Sequence, residues 1–433
     1  MSSDASVEYH WINRVEHLDM YEPGGYKPVM LNDLLHNRYR IVDKLGFGGY
    51  STIWLAHDEK MKRYLAVKIG IAGSSSLRRE AEILQALHGT GSSSQGSHSD
   101  NACDLLPKIH DTFDLCGPNG THSCYTSTPA QGNLKEASSS RLFPVRIARA
   151  LAAKLALAVA FVHSRGFVHG DLHLHNTLVK LSSTFDEMSI AEFRKKYGEP
   201  DTVPITRVDG KPLTPNAPAQ AVLPLYLGKK AQEFTLDDAH ALILSDFGEA
   251  FSPATEQRLG RECNTPLAKR APEALFEPDE LVSYPSDIWS LGTAIWQILG
   301  MKFIFSESET RDEIVAQQID VLGAQNFPQS WRKQWEEGPR EDGVELTHSI
   351  PRKPTGEREE WPPLEDAFEA FVQKYRRKRT ATGVFGEEET QAILDLMRSM
   401  LRFRPEERMT IEQVLASKWM VEWALPALEG RCG

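Results

Sequence analysis

From Tyr39 onward the apolar positions fall into short runs with the spacing of strands, Tyr39 to Leu45, Thr52 to Ala56 and Tyr64 to Ile69. The period then lengthens, and Leu77 to Leu87 reads as a helix with Arg78, Arg79 and Glu80 on its exposed flank. Residues His88 to Asp100 are rich in Gly and Ser and almost free of apolar groups, so a mobile loop is expected there. Strand-like stretches resume at Lys108 to Leu115 and Ser123 to Ser127. Pro144 then opens a long helix through His163, with Ile147, Leu151, Leu155, Ala158 and Val162 at helical spacing. A second, strongly apolar helix runs from Ile288 to Leu299, and helices near Leu364 to Tyr375, Glu387 to Leu401 and Ile411 to Val421 follow.

Strands first and helices afterwards imply an α+β chain in two lobes: a small, mainly antiparallel β N-lobe with one key helix, and a larger α-helical C-lobe. The boundaries read as an N-terminal extension over 1–38, an N-lobe over 39–130, a C-lobe over 131–425 and a tail over 426–433. Two stretches break the C-lobe pattern. Residues 182–238, rich in Pro, Thr and charge, look like a spacer insertion, partly helical from Ile190 to Tyr197 and otherwise irregular. Its composition suggests no core of its own, so removing Thr184 to Gln232 is expected to leave the rest of the chain folded and active. Residues 338–361 look like a second insertion.

Four polar elements lie on this scaffold in one order. Gly46-Phe-Gly-Gly-Tyr-Ser51 is a turn between two strands whose bare backbone would let N–H groups approach phosphate oxygens, although a tight hairpin without ligand has the same look. Leu45 and Ile53 flank it as apolar walls for a base, with Ser51 and Ala66 counted to the same site. Lys68 alternates with Val67 and Ile69 in a strand; directed at phosphates it needs a carboxylate, and Glu80 and Glu82 are the candidates. Glu80 is preferred, because Leu84 and Leu87 then follow on one packed face. His169-Gly-Asp-Leu-His-Leu-His-Asn176 supplies Asp171 as proton acceptor and Asn176 as a metal ligand, and Ser245-Asp-Phe-Gly248 supplies Asp246 as the second ligand. His169 reads as packing and hydrogen bonding, and Asp287 as an anchor for this loop. Together they imply ATP and Mg²⁺ chemistry, with the nucleotide between the lobes. Ala271-Pro-Glu273 needs a buried cation for its glutamate, and Arg408 is the candidate.

Bulk properties narrow the class. At 433 residues with 25% charged and 41% hydrophobic residues, the chain has ample capacity for a core, and its formal charge of −11 argues against nucleic acid as a direct partner. The five cysteines show no metal spacing and no even framework, and read as free thiols in a reducing compartment. Asp4 and Glu8 stand where a signal peptide would be positive, and Lys154 interrupts the longest apolar run. No membrane partner, a monomer, and a cytoplasmic or nuclear location are the expectation.

With these positions laid out, Tyr39 to Val421 resembles the eukaryotic protein kinases. Gly24-Gly-Tyr-Lys-Pro-Val29, Arg38-Tyr39 and Lys44-Leu-Gly-Phe-Gly-Gly-Tyr-Ser-Thr-Ile-Trp-Leu55 are similar to the entry segment of SR-protein kinases, most of all its divergent fungal members. That family also places a spacer where this chain has Ser182 to Asp238. The resemblance implies serine/threonine phosphorylation, in Arg/Ser-rich proteins, with ATP and Mg²⁺. It also implies a hinge, placed at Ser127-Thr-Pro-Ala130, where the Ala130 N–H would bond adenine and Pro129 lacks a donor. His173 replaces the family's lysine after the Asp, and Glu307, Glu309 and Asp312 are candidates for an acidic docking groove. Gly170 replaces the arginine that an activating phosphate neutralises in many kinases, so activity without phosphorylation of Ser252, Thr255 or Thr265 is expected. Two other readings remain: a scaffold with the fold and no turnover, and a small-molecule phosphotransferase of the choline or aminoglycoside kind.

Overall fold

A computed structural model describes residues 7–89, 102–337 and 350–430. Most of the expected mobile loop, and residues 338–349 of the second expected insertion, lie outside the described residues. The chain divides into two compact units. One gathers the N-terminal segment with residues 107–132 and 180–228, and the other holds 133–179 and the chain from 229 onward.

The first unit is built on a six-stranded antiparallel sheet of β1 (Leu34–Leu35), β2 (Tyr39–Gly48), β3 (Ser51–Asp58), β4 (Arg63–Gly70), β5 (Ile109–Gly117) and β6 (Gly120–Ser127), in the order β1-β2-β3-β4-β6-β5. One helix, α1 (Ser76–Gly89), accompanies it and buries Leu77, Ala81, Leu84 and Leu87 along one stripe. The runs in β3 and β4 are apolar almost without interruption because both sheet faces are covered. Tyr39, Ile41, Trp54, Ala56, Leu65, Val67 and Ile69 pack on one face together with Val29 and Leu35 from the N-terminal segment. Val42, Leu55 and Tyr64 face the other way, onto Phe193.

Phe193 lies in the helix expected from Ile190 to Tyr197, and the helix is where the sequence placed it. What the structure corrects is the reading of the segment as a spacer that builds no core. The helix Ile190–Tyr197 starts with a capping box between Ser189 and Glu192 and seats Phe193, 1% exposed, against the sheet. Asp186 accepts the Tyr64 N–H at 2.8 Å, and the Leu225 N–H reaches the Lys44 carbonyl at 2.7 Å. Further on, Thr202–Pro204 and Gln220–Val222 pair antiparallel, and Ile205, Ala217 and Ala221 share a core with Val15, Leu18, Tyr21 and Tyr26. The segment lacks a core of its own because it completes someone else's, so the expectation that it can be removed is withdrawn.

The second unit is helical. Pro144 caps Val145–Ser164, whose twelve buried residues include six alanines that let neighbouring elements approach closely. Tyr284–Leu299 is buried on every side from Asp287 onward, as a helix with apolar residues all round must be, and it buries Asp287, Ser290, Thr293 and Gln297 with them. Its last carbonyl, that of Leu299, is capped by fully buried Arg376, which donates to it at 2.9 and 2.7 Å. Burial pushes that guanidinium down to about 9. The helix expected from Ile411 to Val421 is broken: Ile411–Leu415 ends, and a wider turn, Met420–Ala424, leads into Leu425–Leu428. Among the described residues no helix is long and apolar enough to cross a membrane.

Candidate active site

In the first unit, Lys68 sits on β4 between Ile53 of β3 and Tyr125 of β6. Its Nζ lies 2.9 and 2.7 Å from the two carboxylate oxygens of Glu80, and the Tyr125 hydroxyl donates to the same carboxylate at 3.1 Å. Glu80 is 3% exposed, not on an exposed flank, while Glu82 points to solvent. Burial of the carboxylate is tolerable because an ammonium and a phenol satisfy it.

The glycine-rich turn closes β2 onto β3 with Gly48 opposite Ser51, and residues 47–50 are exposed. A Cβ built at Gly46, Gly48 or Gly49 would meet nothing within 4 Å, and none of the three has a positive φ. Neither crowding within the chain nor backbone conformation therefore demands glycine there. Ser51 and Ala66 are buried and Ile53 half-buried, while half-buried Leu45 packs on the cluster that Phe193 completes. Ala130 opens a short strand, Ala130–Asn133, and the Pro129 carbonyl accepts the Leu181 N–H at 2.8 Å.

The second unit carries the two short strings, and backbone pairing brings them together. Thr177–Lys180 and Leu242–Leu244 run antiparallel, and the Ser245 N–H and hydroxyl both donate to the Asn176 carbonyl, at 2.8 and 3.0 Å. Asp246 thus follows directly beside Asn176, at a φ of 63° that non-glycine residues seldom adopt. Asn176 Nδ2 donates to the Asp171 carbonyl at 2.9 Å and to Asp171 Oδ2 at 3.1 Å. His173 Nε2 is 3.3 Å from the same Oδ2. Asp171 Oδ1 is buried with no hydrogen-bond partner among the described residues.

Asp287 fixes the loop from behind. Its carboxylate accepts the His169 N–H at 2.7 Å and the Gly170 N–H at 3.0 Å, with His163 Nε2 at 2.9 Å. Burial works to raise its pKa, but the hydrogen bond and charge of His163, with the loop N–H donors, hold the carboxyl below its usual range. His169 accepts the Asp171 N–H on Nδ1 at 3.2 Å, which leaves Nε2 to donate to Ser245 O at 3.0 Å. Gly170 has φ 78°, and a Cβ there would sit 2.7 Å from the Glu249 carbonyl oxygen, so no arginine fits this backbone.

The segment after Asp246 is tied at several points. Arg258 bonds Glu249 at 2.9 Å and lies 5.3 Å over the Phe251 ring, within cation–π reach. Thr265 is 6% exposed and donates its hydroxyl to Gly170 O at 2.7 Å, which removes it from the exposed phosphorylation candidates. At its end Arg408 donates to both Glu273 oxygens, at 2.7 and 2.5 Å, as the sequence suggested. Of the acidic docking candidates, Glu307 is held by Lys135 and by Lys269, the latter at 3.1 Å, and Asp312 accepts the Arg352 N–H at 3.0 Å. Sequence reading missed this lysine pair, as it missed the buried pair Glu16–Lys44 of the first unit. In both, the partners are too far apart in sequence for spacing to signal them.

Among the described residues no three His, Cys, Asp or Glu side chains form a metal site on their own. Asn176 and Asp246 offer hard oxygen donors, the kind Mg²⁺ takes in small number when phosphates complete its shell.

The chain has the protein kinase fold: a solved kinase domain superposes with a TM-score of 0.55 at 17% identity, covering 91% of this chain and 98% of that one. The protein kinase domain family matches residues 229–420. In sequence it is similar to a serine/threonine protein kinase of Aspergillus fumigatus, 26% identical over 94% of this chain and 90% of that protein. It is also similar to protein kinase dsk1 of Schizosaccharomyces pombe, 25% identical over 96% of this chain and 86% of that protein. Mouse SRSF protein kinase 3 matches at 26% identity over 40% of this chain and 31% of its own length.

Proposed function

We propose that this protein transfers the γ-phosphate of ATP to serine and threonine hydroxyls of proteins, with Mg²⁺ as cofactor. The observation that carries the reading is Asp171: a carboxylate fixed by Asn176, with Oδ1 buried and unpartnered, is an acceptor waiting for a hydroxyl proton. In the proposed step the substrate oxygen bonds to the γ-phosphorus as the bond to the bridging oxygen breaks, and the hydroxyl proton passes to Asp171. Lys68, aligned by Glu80, addresses the α- and β-phosphates, and the glycine-rich turn covers them; its glycines, unexplained by packing, suit that use. Asn176 Oδ1 and the Asp246 carboxylate would hold Mg²⁺, which neutralises charge on the phosphates when bound.

Arg/Ser-rich proteins are the first substrates to try, on the likeness to SRSF protein kinase 3. Glu307 is not offered as an arginine acceptor, since two lysines already hold it. The Glu273–Arg408 anchor under the segment after Asp246 supports a protein substrate over a small one. The free thiols Cys116, Cys124 and Cys263 suit work in the cytoplasm or nucleus. The test is radiolabelled ATP offered with an Arg/Ser peptide, a generic basic protein and choline side by side. Label on serine or threonine of either polypeptide supports the proposal. Label on choline alone, or on none of the three, refutes it.

A further inference from the structure

The glycine-rich turn has little to hold it: its residues 47–50 are exposed, and beyond its strand pairing the chain offers few fixed contacts. One comes from a distant part of the sequence. The Tyr26 hydroxyl, on the N-terminal segment, donates to the Gly48 carbonyl at 2.8 Å. Tyr26 is 1% exposed, lies edge-on to Tyr21 at 5.7 Å, and its own carbonyl accepts from Asn119 Nδ2, which also bonds the Asn216 carbonyl of the insertion. The adjoining segment is locked as well. Glu16 pairs with Lys44, both buried, directly before the turn, and a Cβ on Gly25 would overlap the Met20 carbonyl.

We propose that Tyr26 is a positioning residue for ATP, its hydroxyl fixing the glycine-rich turn through the Gly48 carbonyl so that the turn's N–H groups face the phosphates. The inference rests on the phosphate role proposed above for that turn. Burial, with the charge of Glu16 second, pushes the Tyr26 phenol up to about 12, so it stays a donor through the physiological range. The N-terminal segment and the insertion thereby serve nucleotide binding without touching nucleotide: they hold the residue that holds the turn.

Tyr26→Phe keeps the ring and its packing and deletes the one hydroxyl. The dissociation constant for Mg-ATP, measured by calorimetry, and the KM for ATP should both rise about three- to tenfold, the factor one net hydrogen bond represents. The kcat at saturating ATP, the KM for protein substrate and the melting temperature should stay near wild type. Tyr39→Phe is the control: it removes the hydroxyl of a buried tyrosine within the sheet itself, the one bonded to Asp111, and should leave ATP affinity unchanged. Equal ATP affinity in Tyr26→Phe and wild type overturns the proposal, as does an equal loss in Tyr39→Phe, which would mean general loosening. A wild-type protein that binds no ATP overturns the phosphate reading itself, and the proposal with it.

Discussion

Arg408→Leu is the substitution whose cost the structure specifies best. The Arg408 side chain is fully buried, lies 5.2 Å over the Trp289 ring, and donates five hydrogen bonds. Two go to Glu273; the others reach the carbonyls of Arg402 at 2.7 Å, Pro285 at 3.0 Å and Phe403 at 2.9 Å. Leucine fills much of the volume but strands a carboxylate that is 5% exposed, together with three carbonyls. Removing one partner of a buried pair costs about 3–5 kcal/mol, which dominates the outcome; the carbonyls add less, because relaxation or water reaches some of them. For a unit of this size, each kcal/mol lowers the midpoint by about 2–4 °C, so a fall of roughly 6–20 °C is expected. Thermal unfolding by circular dichroism measures it, and a double-mutant cycle isolates the cause. Glu273→Gln in the Arg408→Leu background should recover part of the loss, since the stranded charge is gone. A midpoint within about 3 °C of wild type, or a double mutant showing the plain sum of the two single losses, would refute the reasoning.

Phe193→Ala, in the segment that resembles a spacer, should cost about 3–5 kcal/mol in urea unfolding, as deletion of a buried aromatic does; a change below about 0.5 kcal/mol would restore the dispensable reading. Burial pushes the His110 imidazole down to about 4, with Arg63 and Lys108 adding to the shift. Between its unfolded value near 6.5 and about 4 the unfolded chain therefore binds more protons, so the stability of wild type relative to His110→Gln should fall as pH drops through that window and be flat above it. Unfolding free energies at several pH values check this, and a flat difference contradicts it. Phosphatase-treated protein made in bacteria should phosphorylate substrate at the same rate with Ala at Ser252 and Thr255 as without, because Arg258 and Thr265 already hold the segment; silence until an upstream kinase acts would contradict that.

The half-site around Asp171 was legible in sequence because its geometry is local. Asn176 reaches back five residues to Asp171, so the spacing is itself the structure. Glu80 was legible through helical period, since Lys68 needs a carboxylate on the face that also carries Leu84 and Leu87. What escaped was packing between segments with no common period. Phe193, Ile205, Ala221 and Leu225 are scattered among Pro and charge, and their partners lie on β2, β3, β4 and the N-terminal segment. The clue was in the strands: Trp54-Leu-Ala56 and Tyr64-Leu-Ala-Val67 are apolar on both faces, which a sheet with one bare face would not be. Tyr26 was visible only as part of a resemblance, and Glu16 and Lys44, twenty-eight residues apart, carried no mark of their pairing.

The central claim is that Asp171 takes the proton of a protein hydroxyl during phosphoryl transfer. The direct measurement compares wild type with Asp171→Asn for turnover with a protein substrate and, separately, for Mg-ATP affinity. Asparagine keeps the shape and the contact with Asn176 while removing the proton acceptor. Turnover should fall by about two to four orders of magnitude with ATP affinity nearly unchanged. Turnover within about threefold of wild type would contradict the claim.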